Sequence, residues 1–89
     1  MADVYNLHVQ PHNCGGPVST AAGVQLDAVI PNFIIMEWFP YWQDDRYAIV
    51  TEAFEPQVLA GRFTIPDRPG LGVELNDAYL ARFEQIQGR

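Results

Sequence analysis

The chain has 89 residues with eleven acidic side chains, five arginines, no lysine and a net charge of −6. A phosphate backbone would repel it and no basic stripe offsets that, which excludes nucleic-acid binding; the missing lysine excludes a P-loop or a Schiff-base lysine supplied here. Apolar residues make up 48% of the sequence, a globular composition rather than a disordered one, but the length suffices for one small domain at most.

Residues 1–6 read as the last turn of a helix. Residues 7–10 read as a short strand ending at Pro11, with His8, Gln10 and His12 on one side and Leu7 and Val9 on the other. His8 and Gln10 are expected to be satisfied polar groups of a core. Gly15-Gly16-Pro17 opens a helix, because proline suits the first helical position, where its missing N–H would be unbonded anyway. Val18, Ala21, Ala22, Gln25, Leu26 and Val29 follow helical spacing and predict one mostly apolar face, and Pro31 ends the helix. Residues 33–36, Phe-Ile-Ile-Met, are a continuous apolar run that predicts a strand buried on both faces. Strand, helix and strand within about thirty residues make a βαβ unit, and such units build parallel sheets.

Beyond Glu37 the pattern changes. Trp38-Phe39-Pro40-Tyr41-Trp42 is aromatic and irregular. Residues 47–54 and 63–65 read as strands linked through a turn at Ala60-Gly61-Arg62, and Pro69-Gly70-Leu71-Gly72 is turn chemistry. Asn76 can cap a last helix with Asp77 in its first turn; Tyr79, Leu80, Phe83 and Ile86 give it a stripe, and Gly88 stops it. The chain thus divides into residues 1–42, strand–helix–strand, and residues 43–89, short strands with a final helix, together one incomplete α/β domain.

Two residues stand where chemistry is expected. His12 follows a strand end and can move a proton near neutral pH; the competing reading is a polar residue capping that strand. Glu37 directly follows the buried run, where an unpaired carboxylate is costly to bury; the competing reading is a solvated loop acid. Asn13 is a candidate for polar contacts near them, against ordinary turn chemistry. Cys14 with His12 and His8 gives no spacing that matches a zinc site. A lone cysteine cannot form an intrachain disulfide and suits a reducing cytoplasm. No signal peptide is expected at residues 1–4, and the apolar stretch from Phe33 to Trp42 is too interrupted by Asn32, Glu37 and Pro40 to span a membrane.

The segment through Pro11-His12-Asn13-Cys14-Gly15-Gly16-Pro17, the run Ile34-Ile35-Met36-Glu37, and the segment Ile65-Pro66-Asp67-Arg68-Pro69-Gly70-Leu71-Gly72-Val73-Glu74-Leu75 occur in this order. Together they resemble the C-terminal part of enolase-superfamily enzymes, in particular the mandelate racemase/galactonate dehydratase group. The resemblance implies a C-terminal fragment of a (β/α)8 TIM barrel, its last two strands, followed by a segment returning to a capping domain. It implies that His12 is a general acid/base, that Glu37 contacts the substrate carboxylate region and helps stabilise an enolate, and that Asn13 lies near the substrate. It further implies Mg²⁺ in the complete enzyme, held by carboxylates of earlier strands so that this chain alone binds none, and a sugar-acid dehydratase or racemase reaction. A complete barrel needs roughly 250 residues, so the isolated chain is expected to be inactive, with the rest of a barrel or a second copy as partner. The alternative is a non-catalytic interaction module that self-associates through its aromatic segment.

Overall fold

The computed structural model describes residues 1–39 and 44–83. A 3₁₀ turn at Ala2–Tyr5 opens the chain and stops at Asn6, whose left-handed backbone (φ 54°) returns its N–H to Ala2 and Asp3; asparagine is among the few residues that visit this region routinely.

Strand β1 is His12–Asn13 and strand β2 is Glu37–Trp38, and they pair in parallel with His12 opposite Glu37 and Asn13 opposite Trp38. Upstream, the expected strand at residues 7–10 is reduced to a bridge between Val9 and Phe33, with Val9 N–H bonding Asn32 C=O at 2.9 Å and Ile34 N–H bonding Val9 C=O at 3.1 Å. Pro11 explains the interruption. It has no N–H to give the ladder and only accepts, from Glu37 N–H at 2.9 Å. Past it, the pairing offset between the strands is one residue longer than at Val9, so the second strand carries an extra residue between Phe33 and Glu37. Such a bulge redirects the side chains that follow it.

Helix α1, Pro17–Val29, has Gly16 at its N-cap and Pro17 at its first position. It ends as Ile30 turns extended before Pro31, as residues preceding proline tend to. Its buried side is Pro17, Thr20, Ala21 and Val24, a different line from the one its hydrophobic spacing predicts. Ala21 is the residue common to both, while Val18, Leu26 and Val29 are exposed, Val29 to 76%. Helix spacing marks two apolar stripes here, and the described residues cover one of them. Phe33, Ile34 and Ile35 are likewise exposed, so the strand expected to be buried on both faces is not buried within this chain.

The core is Ala21, Val24 and Phe54, with Met36, Phe63 and Val73 packed against it. Residues from both halves of the chain therefore share one core; the boundary expected between residues 42 and 43 lies outside the described residues. The expected strand at residues 47–54 is absent. Asp44–Tyr47 forms a short helix, α2, and extended pairing is confined to Val50 opposite Leu75, flanked by Thr51 N–H to Glu74 C=O at 2.9 Å and Asn76 N–H to Ile49 C=O at 2.8 Å. Glu55–Gln57 then turns as a 3₁₀ segment with Pro56 inside it. The strand expected at residues 63–65 also has no ladder. Pairing stops at Leu59 and Arg62, whose two mutual bonds close a tight hairpin over Ala60 (φ 50°) and Gly61 (φ 73°). Trp38 packs edge-on against Phe63 at 5.6 Å between ring centres.

Residues 66–72 lie back over this core. Gly72 is buried with φ 79°, and a Cβ there would sit 3.3 Å from Phe54. Helix α3, Asp77–Leu80, starts at Asn76, whose side chain accepts the Tyr79 N–H at 3.2 Å. Tyr79 and Leu80 are half-buried and Phe83 is exposed; the expected Ile86 and Gly88 of this helix lie outside the described residues.

Candidate active site

His12 and Glu37 meet. The His12 Nδ1 and the Glu37 Oε2 are 2.9 Å apart. They are register partners on parallel strands, so both side chains leave the same face at the same level. Their neighbours Asn13 and Met36 point to the other face, toward α1, as strand alternation requires. The pair therefore sits on the face turned away from the helix, downstream of the Val9–Phe33 bridge and so on the C-terminal side of the parallel pairing, the side where a parallel α/β architecture places its chemistry.

The side chains are 66% and 54% exposed. An exposed pair of this kind contributes about 0–1 kcal/mol to stability, so the contact is too weak to be explained as a structural clamp. Its chemical consequence is larger. An ionised carboxylate only accepts hydrogen bonds, so Nδ1 carries the proton, and the free Nε2 becomes the nitrogen that takes or gives one.

Asn13 is in a different situation. It is 5% exposed, and its amide is fully engaged. Nδ2 donates to Thr20 Oγ1 at 2.9 Å and approaches Met36 Sδ at 3.9 Å, while Oδ1 accepts from Gly15 N–H at 3.3 Å and from Ser19 Oγ at 3.2 Å. Thr20, itself fully buried, passes the chain on to Gly16 C=O at 3.5 Å. The expected substrate contact thus has no free polar group at Asn13 to make it. Sequence reading missed Ser19 and Thr20, which hold this amide; the usable signal was that they lie in the first turn of a helix opening a few residues after Asn13.

His8 and Gln10 are exposed, not the satisfied core groups expected, since none of the described residues covers that face. Cys14 is free and exposed. Among the described residues no three of His, Cys, Asp and Glu come together to hold a metal ion. The two donors of His12 and Glu37 are spent partly on each other, so the donor set present does not fit a Mg²⁺ centre.

A cavity of about 730 Å³ lies on the helix side and includes neither His12 nor Glu37 in its lining. Val24, Asp27, Met36, Trp38, Arg62 and Phe63 line it. Both Asp27 oxygens are buried without a hydrogen-bond partner, and burial pushes its carboxyl above the usual aspartate range. Strand alternation separates this groove from the pair. No described helix is long and apolar enough to cross a membrane.

The family described as enolase C-terminal domain-like matches residues 1–79. The chain is 35% identical over 79 residues to the D-xylonate dehydratase of Haloferax volcanii, covering 85% of this chain and 18% of that protein. It is 30% identical over 84 residues to the D-gluconate dehydratase of Thermoproteus tenax, covering 93% of this chain and 16% of that protein. The crystal structure of a mandelate racemase/muconate lactonizing enzyme from Jannaschia sp. CCS1 superposes with a TM-score of 0.78 at 33% identity, over 99% of this chain and 22% of the other. The chain thus spans about a fifth of the length of these relatives.

Proposed function

We propose, from the premise that this chain belongs to the enolase C-terminal domain-like family, that it supplies the last two strands of a sugar-acid dehydratase barrel and contributes His12 and Glu37 to its proton chemistry. The observation that carries this is the 2.9 Å contact between the two on the open face of the parallel strands. Dehydration of a sugar acid breaks the C–H bond next to the carboxylate, passes through an enolate, and then expels the neighbouring hydroxyl as water once it receives a proton. His12 suits either transfer. With Nδ1–H held by Glu37, neutral Nε2 accepts a proton and the imidazolium returns it. Glu37 steadies the imidazolium that forms. Because Glu37 is half exposed, its second oxygen is open to a substrate hydroxyl. Racemisation would use the same proton-moving pair without loss of water; the dehydratase relatives favour dehydration.

The remainder of the chemistry belongs to strands that this chain does not contribute. The Mg²⁺ implied by the family resemblance has no three-donor site among the described residues, and a metal of that kind stabilises enolate charge in such enzymes. The exposed apolar residues Val18, Leu26 and Val29 on α1 and Phe33, Ile34 and Ile35 before β2 support the same reading. A helix apolar on more than one side belongs inside a larger assembly.

The test is a chimera in which the Haloferax volcanii relative has its matching segment exchanged for this chain. Turnover of D-xylonate that falls about 10²–10⁴-fold on His12→Asn supports the proposal. Turnover indifferent to His12→Asn, or a folded chimera with none, would overturn it.

A further inference from the structure

We infer that Asn13 is a positioning residue that sets the direction of His12 toward Glu37, and not a substrate contact. The inference rests on the proposed role of the His12/Glu37 pair. Asn13 is the residue next to His12 on β1, and its side chain points to the opposite face. Four contacts hold it, from three separate pieces of chain. Thr20 and Ser19 come from the first turns of α1, Gly15 from the loop between, and Met36 from the residue just before β2. Fixing the Asn13 side chain fixes its backbone. The backbone of one strand residue sets the Cα–Cβ direction of the next, so the same contacts aim His12.

The His12/Glu37 contact is more than half exposed on both sides, so the pair cannot hold its own geometry against the rotamer freedom of two solvated side chains. Something else must. Asn13 and Thr20 at the centre of the network are buried, and a buried, satisfied hydrogen bond is rigid where an exposed pair is not. Functional side chains held to within about 0.5 Å depend on such support. Met36 adds a second link, because it ties the network to the residue adjacent to Glu37 as well. One amide therefore holds the neighbours of both members of the pair.

The experiment uses the 89-residue chain labelled with ¹⁵N, reading the His12 ring nitrogens by NMR with His8 as internal reference. In the parent, Glu37→Gln moves the His12 ring signals and leaves those of His8 in place. In Asn13→Ala the same Glu37→Gln change moves them less than half as far, because His12 no longer dwells on Glu37. Asn13→Ala removes four contacts and can lose the fold, so Thr20→Val serves as the second variant. It keeps the shape of Thr20 and deletes the acceptor for Nδ2. The response is lost in Thr20→Val and restored in Thr20→Ser, which returns the hydroxyl. A full Glu37→Gln response in Thr20→Val or in folded Asn13→Ala overturns the inference, as does a loss that Thr20→Ser fails to restore. No turnover is read, so failure here leaves the catalytic proposal to the chimera, and a chimera indifferent to His12 leaves the coupling measured here intact.

Discussion

His12 stands opposite Glu37, and not opposite Met36, because the second strand gains one residue on the first between the Val9 bridge and His12. With the upstream offset continued, Met36 would face His12 and Glu37 would turn toward α1, among Ala21 and Val24. Burying an unpaired carboxylate there would be expensive, and exposing Met36 would forfeit its packing. Burial thus chooses the register, and Pro11 makes the bulge tolerable by lacking the N–H that a regular ladder would need. The contact between the two site residues follows from where the core needs its apolar side chains.

The first prediction concerns Glu37 itself. In the chimera, Glu37→Gln leaves a neutral amide opposite Nδ1, which no longer selects the Nδ1–H tautomer or stabilises an imidazolium. Turnover should fall at least about tenfold, with a smaller loss than His12→Asn, since general acid–base groups themselves contribute about 10²–10⁴-fold. Steady-state kinetics on the two single variants and the double variant decides the matter. The double variant should lose little more than His12→Asn alone, because the two act as one unit; fully multiplicative losses would show that Glu37 acts on substrate independently.

How much of this was legible in the sequence depends on the element. The βαβ unit, the proline start of α1 and the Asn76 cap follow from local rules about N–H groups and spacing, and local rules are written in the residues themselves. The candidacy of His12 and Glu37 was readable from their places after apolar runs. Their direct contact was not, since it depends on a one-residue slip that no periodicity reports. The strand expectation at residues 47–54 failed because Tyr47, Ile49, Val50 and Phe54 are β-formers whose partner is confined to Glu74, Leu75 and Asn76. A strand needs a neighbour, and propensity says nothing of who that is. The buried face of α1 was misjudged for a related reason. Thr20 is polar and lies outside the apolar pattern, yet it is fully buried because Asn13 satisfies it.

Gly15→Ala should damage the same network from the loop. A Cβ at residue 15 would lie 2.4 Å from Ser19 Cβ and 3.5 Å from Asn13 Oδ1. The first contact is between atoms close to the backbone on both sides, so either the helix start or the loop must move. Overpacking of this kind costs about 1–3 kcal/mol. Gly16→Ala, where an added Cβ meets nothing within 4 Å, should lose less than about 1 kcal/mol, the scale of a mildly worse N-cap. Urea denaturation of the two variants gives the comparison; equal losses would place the strain elsewhere.

Asp27 gives a pH-dependent prediction. Burial raises its carboxyl above the ordinary value, so the fold disfavours the charged form. Above the raised value the native state holds a charge that the unfolded chain would hydrate, and stability is reduced. As pH falls through the raised value into the ordinary aspartate range the carboxyl neutralises and the penalty disappears. Asp27→Ala should therefore be more stable than the parent at pH 7, with a gap that narrows on acidification toward the constant advantage of alanine in a helix. A gap that stays flat or widens from pH 7 to pH 4 would mean that Asp27 gains a partner in solution.

The last prediction separates the catalytic reading from that of a self-associating module. Val18, Ala22, Leu26 and Val29 form an exposed stripe on α1, at spacings that align them along one side. Leu26→Lys replaces an exposed apolar residue with a good helix former, so the fold of the isolated chain should survive and its helical circular dichroism should be unchanged. Its sedimentation should shift toward the monomer if the stripe drives association. In the chimera the same change should lower the midpoint of thermal unfolding, because there the barrel covers the stripe and a lysine would be buried or forced to snorkel. A module that self-associates through this stripe would show the first effect without the second, and one that associates through the aromatic segment after Glu37 would show neither. A chain that contributes two strands to a barrel must show the second, since an uncovered helix face has no reason to be apolar along its whole length.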